Sequence, residues 1–172
     1  MNDQMEIATI DGRVLFCVRD RAEYGFMSNF HAAAVEIDGL VWPTTEHFYQ
    51  AQKSRDAEYQ AKVRAAVSPG QAKRLGTAPG GGRKATNQSW FKQTGRSPRA
   101  DWEEIKVDVM RVAVCAKFTQ HADLAARLLA TGDAELIEDS TRDGFWGAGP
   151  DGQGTNWLGR VLMEVRAELR AG

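Results

Sequence analysis

The sequence predicts an α+β fold, a mainly helical single domain with short antiparallel strands near the N-terminus. Strand-type segments are concentrated before Pro43 and helix-type segments after it, without the alternating strand–helix repeat of a parallel sheet. The length of 172 residues suits one domain with a substantial core and is short for two. We therefore expect residues 1–172 to form one domain.

Two β-hairpins are expected ahead of Pro43. Each consists of two short apolar runs on either side of an Asp-Gly pair: Ile7–Ile10 and Val14–Val18 around Asp11-Gly12, and Val35–Ile37 and Leu40–Trp42 around Asp38-Gly39. Asp-Gly is favoured in two-residue hairpin turns because both turn positions need positive φ angles. A further short strand is expected at Glu135–Glu138.

Six helices are expected from the apolar periodicity and from residues typical of helix ends. They span Thr45–Ser54, Ala57–Ala66, Pro69–Leu75, Trp102–Thr119, Ala122–Ala130 and Trp157–Arg170. Ser68 and Asp101 stand at N-cap positions, where a side-chain oxygen accepts hydrogen bonds from backbone N–H groups. The buried stripe of the longest helix is expected to be Trp102, Ile105, Val109, Val112, Ala113 and Ala116.

Composition and charge exclude several classes of protein. The net charge is −1, so no global field attracts nucleic acid or an anionic membrane. No apolar run approaches the roughly 20 residues that span a bilayer, and the N-terminus lacks a signal-peptide pattern. Cys17 and Cys115 show no metal spacing and the histidines are scattered, so no metal site is expected. The expectation is a cytoplasmic protein without a membrane partner.

One long segment interrupts the helical pattern. Residues 77–99 are rich in glycine and proline, and the sequence predicts a long loop there. From Gly70 to Ala100 there are seven Lys or Arg residues and no Asp or Glu, with two adjacent aromatic residues in the middle. Such a run is typical of nucleic-acid contact, and equally of a solvated flexible loop. The candidate nucleic-acid contacts are Arg83, Lys84, Trp90, Lys92 and Arg96.

A polar stripe on the first predicted helix is a candidate active site. It consists of Glu46, Tyr49, Gln50 and Lys53. The spacing i, i+3, i+4, i+7 aligns these residues along one helix face. Neighbouring aromatic residues suggest that this face is buried, where polar groups need partners or a substrate. An exposed amphipathic helix with ordinary polar residues is the alternative.

A glycine-rich turn precedes the last predicted helix. Gly147 to Gly152 formally matches G-x-G-x-x-G, but no strong buried strand precedes it and the helix begins only near Asn156, so a Rossmann site is disfavoured. A turn that leads into a helix N-terminus presents backbone N–H groups and suits phosphate. The residues expected at such a site are Trp146, Gly147, Gly149, Gly154 and Asn156. A purely structural turn is the alternative.

Two smaller polar groups are further candidates. Asp143 precedes the glycine-rich turn, where a carboxylate orients ribose hydroxyls or acts as an acid or base, unless it only fixes the turn. Ser28 and Asn29 form a polar pair next to the aromatic residue Phe30. The pair suits a nucleobase edge, or a local turn.

Taken together, these segments resemble the NADAR family, also described as YbiA-like N-glycosidases. The resemblance covers nearly the whole chain, and the order and spacing of its motifs make it specific. The principal matching stretches are Ser28-Asn29-Phe30, Trp42 to Lys53, Ser68-Pro69, Lys117-Phe118, Asp143 to Gly149, and Gly154 to Met163. The resemblance implies a YbiA-like fold and makes the Glu46/Lys53 stripe the leading candidate for the active site.

The resemblance implies hydrolysis of an N-glycosidic bond between a phosphorylated ribose and a nitrogen, with no metal or organic cofactor. The family acts on two substrate classes: early intermediates of riboflavin synthesis, and ADP-ribose attached to guanine in nucleic acid. Residues 77–99 look like an insertion relative to compact members. This favours ADP-ribosylated DNA or RNA, because a small intermediate needs no basic arm. A non-catalytic reader of ADP-ribose or another nucleotide is the competing class.

The implied reaction suggests a role for each candidate residue. Cleavage of a ribosyl C1–N bond needs charge stabilisation at C1, protonation of the leaving base and a nucleophile. Glu46 is expected to transfer the proton or stabilise the oxocarbenium ion. Lys53 attacks C1 of a ring-opened ribose if it is neutral, and binds phosphate or pairs with Glu46 if it stays charged. Asp143 completes the catalytic set. The predicted substrate contacts are Ser28, Asn29, Phe30, Tyr49, Arg74, Trp146, Gly147, Gly149, Gly154 and Asn156.

Overall fold

The computed structural model describes residues 12–17, 23–80 and 86–172. By its internal contacts the chain divides into two compact units, one of Met1–His31 with Val114–Gly172 and one of Ala32–Ala113. Both units combine helices with two short strands, so the predicted α+β class with mainly helical content is confirmed.

The described residues form four strands and seven α-helices. The strands are β1 (Arg13–Phe16), β2 (Val35–Ile37), β3 (Leu40–Trp42) and β4 (Glu135–Glu138). The helices are α1 (Thr45–Ala51), α2 (Ala57–Arg64), α3 (Pro69–Leu75), α4 (Trp90–Thr94), α5 (Trp102–Gln120), α6 (Ala122–Ala130) and α7 (Trp157–Ala171). None of these helices is long and apolar enough to cross a membrane.

The Ala32–Ala113 unit begins with the second predicted hairpin. β2 and β3 pair antiparallel with Val35 opposite Trp42, and the turn residues Asp38 and Gly39 have φ angles of 54° and 72°. Helix α1 follows directly and packs against α2 and α3. The core of this unit contains Val35, Trp42, Ala51, Tyr59, Val63 and Ala72.

Side-chain caps explain where four helices of this unit begin. The N-cap residues Thr44, Asp56, Ser68 and Ser89 each accept a hydrogen bond from a backbone N–H of the following turn. Such caps satisfy donors that have no partner inside the helix, and each contributes about 1 kcal/mol. The predicted helix starts in this part of the chain are therefore confirmed, and Ser89 begins a helix that was not predicted.

The prediction of a continuous loop over residues 77–99 is wrong, because α4 lies within it. Trp90 and Phe91, the first two residues of α4, are buried. A five-residue helix with two aromatic residues is too short for periodicity to reveal it. Residues 81–85 are outside the part of the chain that the structure describes.

The other unit contains a parallel strand pair. β1 pairs with β4 in parallel, with Arg13 opposite Glu135 and Phe16 opposite Glu138. Helix α7 packs against both β4 and α6. The predicted partner of β1 in a hairpin, Ile7–Ile10, lies outside the described residues. The observed pairing joins segments that are distant in sequence, so local turn signals did not indicate it.

The buried face of α5 differs from the predicted stripe. Val112, which was expected inside, is 48% exposed. The buried residues of this helix are Trp102, Met110, Ala113, Val114, Lys117 and Phe118. The observed buried stripe includes Lys117. A search that accepts only apolar residues at helical spacing excludes this lysine and therefore selects a different face of the helix.

Gly159 allows α7 to approach β4 closely. A Cβ atom at this position lies 2.0 Å from the carbonyl oxygen of Leu136 and 2.4 Å from the Asn156 Nδ2 atom. We therefore expect Gly159→Ala to lower the free energy of unfolding by about 2–4 kcal/mol, because α7 has to move away from the strand. Guanidinium unfolding monitored by circular dichroism measures this loss.

Gly70→Ala is the matched control, because Gly70 is also helical and its nearest atom, on Arg74, is 3.5 Å away. This variant should be as stable as the wild type or slightly more stable. Equal stability of both variants would contradict the steric role of Gly159.

Candidate active site

Helix α1 is buried on all sides, which excludes an exposed amphipathic helix. All seven of its residues are buried, including the polar side chains of Glu46 and Gln50 at 4% and 3% exposure. Thr44 caps its first turn by accepting the backbone N–H of His47. Glu46, Tyr49 and Gln50 of the predicted stripe are thus buried polar groups of α1, and each has to be held by a partner or a ligand, whereas Lys53 lies beyond the helix end.

The Glu46 carboxylate is held by its neighbour one turn along. Gln50 Nε2 donates a 2.8 Å hydrogen bond to Glu46 Oε1. The remaining amide oxygen of Gln50 is buried without a hydrogen-bond partner in the described part of the chain. It lies against Gly76, where a Cβ atom would come within 2.2 Å of it. Gly76 therefore has to be glycine if Gln50 is to orient Glu46.

Lys53 lies two residues beyond the end of α1 and turns its amine back towards the same region. Its Nζ donates a 2.9 Å hydrogen bond to the carbonyl of Gly76. The amine also lies 5.7 Å from the ring centroids of both Tyr49 and Trp102. Tyr49, a predicted substrate contact, is buried and packs edge-on against Trp102. Lys53 itself is half-buried.

Burial lowers the pKa of Lys53 from 10.5 to about 8. The carboxylates of Glu46 and Glu103 oppose this shift, and the ammonium groups of Lys73 and Lys106 add to it. A hydrogen bond to a carbonyl and two nearby rings do not replace the lost hydration of a full charge. Near neutral pH a fraction of the protein molecules therefore carries Lys53 as a neutral amine, which is the nucleophilic form.

Arg74, the predicted phosphate clamp, lies on the exposed surface of α3. Its Nε donates to the side-chain oxygen of Gln88. The guanidinium carries further donors beyond this one, so a role as a phosphate clamp stays a prediction.

The predicted contacts Ser28 and Asn29 are buried, and Phe30 is half-buried. Ser28 Oγ accepts the backbone N–H of Phe30 at 3.2 Å, so this hydroxyl fixes a local turn. This matches the turn that the sequence left as an alternative. A nucleobase contact by Asn29 or Phe30 stays a prediction.

Lys117 is the residue that sequence reasoning missed. Its side chain is 1% exposed, and its Nζ donates to the carbonyls of Phe26 and Ser28, the second at 3.0 Å. It therefore anchors the segment that carries Ser28, Asn29 and Phe30. Burial lowers the pKa of Lys117 to about 7. The available signal was the Lys117-Phe118 pair among the stretches that resemble the NADAR family.

Asp143 fixes the start of the glycine-rich turn. Its Oδ1 accepts the backbone N–H groups of Phe145 and Trp146 at 3.1 and 3.0 Å. This is the structural role that the sequence left open as an alternative. Trp146 is half-buried and packs edge-on against Phe145, with ring centroids 5.1 Å apart.

The glycines of the turn are required by close backbone approach. At Gly147 a Cβ atom would lie 2.6 Å from the carbonyl oxygen of Glu138, and at Gly154 it would lie 2.2 Å from that of Gly147. Gly149 has a φ angle of 73°, which favours glycine. These contacts account for the glycine pattern without a ligand.

The expectation that this turn offers available N–H groups to phosphate is wrong for most of its residues. The backbone N–H groups that already donate to protein carbonyls are those of Gly147, Ala148, Gly152, Gly154, Thr155, Asn156, Trp157 and Leu158. The Asn156 side chain is also engaged, because it donates to Leu136 and accepts from the backbone N–H of Glu138. The start of α7 is thus bound to the protein itself.

The predicted nucleic-acid contacts are only partly available. Trp90 is 5% exposed and packs against Tyr59, so base stacking on this ring is contradicted by its burial. Arg96 pairs with Asp56, and Lys92 is exposed with a hydrogen bond to Asn87. The other two candidates, Arg83 and Lys84, lie outside the described residues.

No metal site is found among residues 12–17, 23–80 and 86–172, since no group of three potential ligands converges there.

Comparisons with known proteins assign this chain to a family. The profile of the NADAR domain matches residues 15–170. N-glycosidase YbiA of Escherichia coli is 42% identical over 147 residues, which cover 86% of this chain and 82% of that protein. A riboflavin biosynthesis protein of Vibrio vulnificus is 46% identical over 147 residues, but these are only 36% of its length.

A solved structure extends the similarity to the fold. The NMR structure of the Escherichia coli protein YbiA matches with a TM-score of 0.80 and 38% sequence identity, covering 97% of this chain and 90% of that one. The predicted YbiA-like fold is therefore confirmed.

The buried charge of Lys117 predicts how stability depends on pH. Its pKa is about 7 in the folded protein and 10.5 in the unfolded chain, so between these values the unfolded chain binds more protons. The free energy of unfolding should therefore rise with pH through this window. Lys117→Met removes this contribution, so the wild type should gain stability relative to the variant between pH 7 and about 9.5.

Thermal unfolding across this pH range measures the difference, with Lys92→Met as the control because Lys92 is exposed. A pH-independent difference for Lys117→Met would contradict the buried charge.

Proposed function

We propose that this chain, which belongs to the NADAR domain family, is an N-glycosidase that hydrolyses the bond between a phosphorylated ribose and a nitrogen. Relatives named N-glycosidase, of which this chain spans most of the length, support the enzyme class. The observation that carries the proposal is that the buried Glu46 carboxyl group and the Lys53 amine lie near one residue, Gly76. Gln50, which donates to Glu46, packs against Gly76, and the Gly76 carbonyl accepts Lys53 Nζ.

Lys53 is the proposed nucleophile. The neutral amine adds to C1 of the ring-opened ribose, which is doubly bonded to the base nitrogen. A proton passes from Nζ to the base nitrogen, the bond between C1 and that nitrogen breaks, and a protonated Schiff base remains between C1 and Nζ. Water then hydrolyses the Schiff base, which releases the sugar aldehyde and regenerates the amine. The lowered pKa of Lys53 supports this role because it supplies neutral amine without an added cofactor.

Glu46 is the proposed proton donor and charge stabiliser. The departing base nitrogen needs a proton, and positive charge develops at C1 as its bond breaks. The Gln50 amide orients the carboxyl group by donating a 2.8 Å hydrogen bond to its Oε1 atom. Glu46 also keeps the Lys53 pKa from falling further.

ADP-ribose on guanine in nucleic acid is the proposed substrate. The exposed guanidinium of Arg74, which bonds to the neutral side-chain amide of Gln88, supports it. Early riboflavin intermediates are the second candidate. The name of the Vibrio vulnificus relative favours them, as does the burial of Trp90, which removes one expected stacking surface.

Replacing Lys53 should abolish covalent trapping. With borohydride present, the wild type should form a stable adduct with the ribose, and Lys53→Ala should form none because no Schiff base precedes the reduction. Mass spectrometry of the intact protein measures the adduct. The trapping rate should rise with pH through about 8, where half of the amine is neutral, and level off above about pH 9.

Lys62→Ala is the control, since Lys62 is exposed on α2. An adduct that persists in Lys53→Ala, or maps to another lysine, would remove the covalent mechanism.

The substrate proposal is tested by comparing two reactions. DNA carrying ADP-ribose on guanine and, separately, the early riboflavin intermediates are incubated with the enzyme, and released base and ribose phosphate are followed by chromatography. We expect kcat/KM at least about 100-fold higher on the modified DNA, a difference of about 2.7 kcal/mol in transition-state binding. A preference for the riboflavin intermediates would reverse the assignment, and binding without product release would indicate a non-catalytic reader.

A further inference from the structure

We infer that residues 86–99 position Lys53 for reaction, in place of the predicted role as an arm that grips the substrate. The inference rests on the proposed function, in which Lys53 is the reacting amine. It concerns the described end of the 77–99 segment, whose charge pattern suggested contact with nucleic acid.

The first link runs through Tyr59 of α2, which is fully buried. The Trp90 and Phe91 rings of α4 pack against its ring, with centroid distances of 6.0 and 5.1 Å. The Tyr59 hydroxyl donates a 2.7 Å hydrogen bond to the backbone carbonyl of Gln50. Burial raises the pKa of Tyr59, so the hydroxyl keeps its proton and remains a donor.

The Gln50 carbonyl connects this link to Lys53. The same oxygen accepts the backbone N–H of Lys53 at 3.3 Å. On the other side of Lys53, its carbonyl accepts the backbone N–H of Arg99 at 2.8 Å. The backbone of Lys53 is therefore held at both its N–H and its C=O, through Tyr59 at one and directly by Arg99 at the other.

Residues 86–99 are also hydrogen-bonded to the chain next to Gly76, whose carbonyl accepts the Lys53 amine. Ser89, the N-cap of α4, donates its hydroxyl proton to the carbonyl of Thr77. Thr77 follows Gly76, whose carbonyl accepts Lys53 Nζ. Residues 86–99 therefore support both the backbone of Lys53 and the carbonyl that accepts its amine.

The charges of the segment do not form a grip of their own. Arg96 pairs with Asp56 and Lys92 bonds to Asn87, whereas the side chains that α4 turns inward are the aromatic ones. A displacement of about 1 Å in a reacting group costs up to about 100-fold in rate, so a rigid support for the amine has a direct catalytic effect.

Two substitutions test this inference. Tyr59→Phe removes only the hydroxyl that holds Gln50, and Phe91→Leu loosens α4 against Tyr59. For both variants we expect kcat to fall about 10-fold or more with KM within about twofold, on free ADP-ribosylated guanosine and on modified DNA alike. Gln93→Ala, on the exposed side of α4, is the control and should behave as the wild type.

A second measurement does not depend on activity. Lysines labelled by reductive ¹³C-methylation are titrated by NMR, with Lys53→Arg to assign the signal. In both variants the Lys53 pKa should rise from about 8 towards the ordinary value, because the amine leaves its desolvated position. If the wild type shows no N-glycosidase activity, the proposed function fails while this titration still tests the support of Lys53.

Wild-type kcat together with an unchanged Lys53 titration in Tyr59→Phe would overturn the inference. A loss confined to KM on modified DNA would overturn it in favour of a substrate arm. If Phe91→Leu fails to fold, the result for Tyr59→Phe alone tests the inference, because this variant keeps the ring contacts with Trp90 and Phe91.

Discussion

The burial of α1 on every side is the constraint from which the chemistry of this protein follows. An unpaired polar group inside a protein costs about 1–3 kcal/mol, so each polar side chain that α1 carries inward needs a partner. Glu46 accepts a hydrogen bond from the Gln50 side-chain amide, and the backbone carbonyl of Gln50 accepts one from the Tyr59 hydroxyl. The side-chain oxygen of Gln50 has no partner among the described residues. The network orients Glu46 and leaves Lys53, beyond the helix end, as the half-buried group that we propose reacts with the substrate.

Two lysines show how the same physics yields different roles. In the part of the chain that the structure describes, the ammonium groups of Lys53 and Lys117 both donate to backbone carbonyls. Carbonyl dipoles hold a cation without cancelling its charge, so desolvation dominates and the pKa of both residues is lowered. Lys117 is closed off from solvent and fixes the turn around Ser28, whereas Lys53 keeps the partial exposure that its proposed role as a nucleophile needs.

Local signals in the sequence predicted most of the elements, because caps and turns are decided by neighbouring residues. Asp38-Gly39 and Ser68 marked their turn and helix correctly, and β4 and α6 have the predicted bounds. The parallel pairing of β1 with β4 depends on packing between distant segments, which no local pattern encodes. The face of α5 was misjudged because Lys117 is buried there, and a buried lysine is rare enough that patterns assign it to solvent.

The glycine-rich turn shows why the site was harder to predict than the fold. Glycine spacing identifies backbone that passes close to other backbone, but it does not tell which carbonyls receive the N–H groups. Here Gly154, Trp157 and Leu158 donate within the turn itself. A phosphate at this turn therefore needs donors from side chains, and a motif that suits phosphate by its dipole serves first to attach α7 to the protein. The spacing of Glu46 and Gln50 was informative for the opposite reason, since helical geometry alone aligns those side chains, whereas Lys53 lies beyond the end of α1.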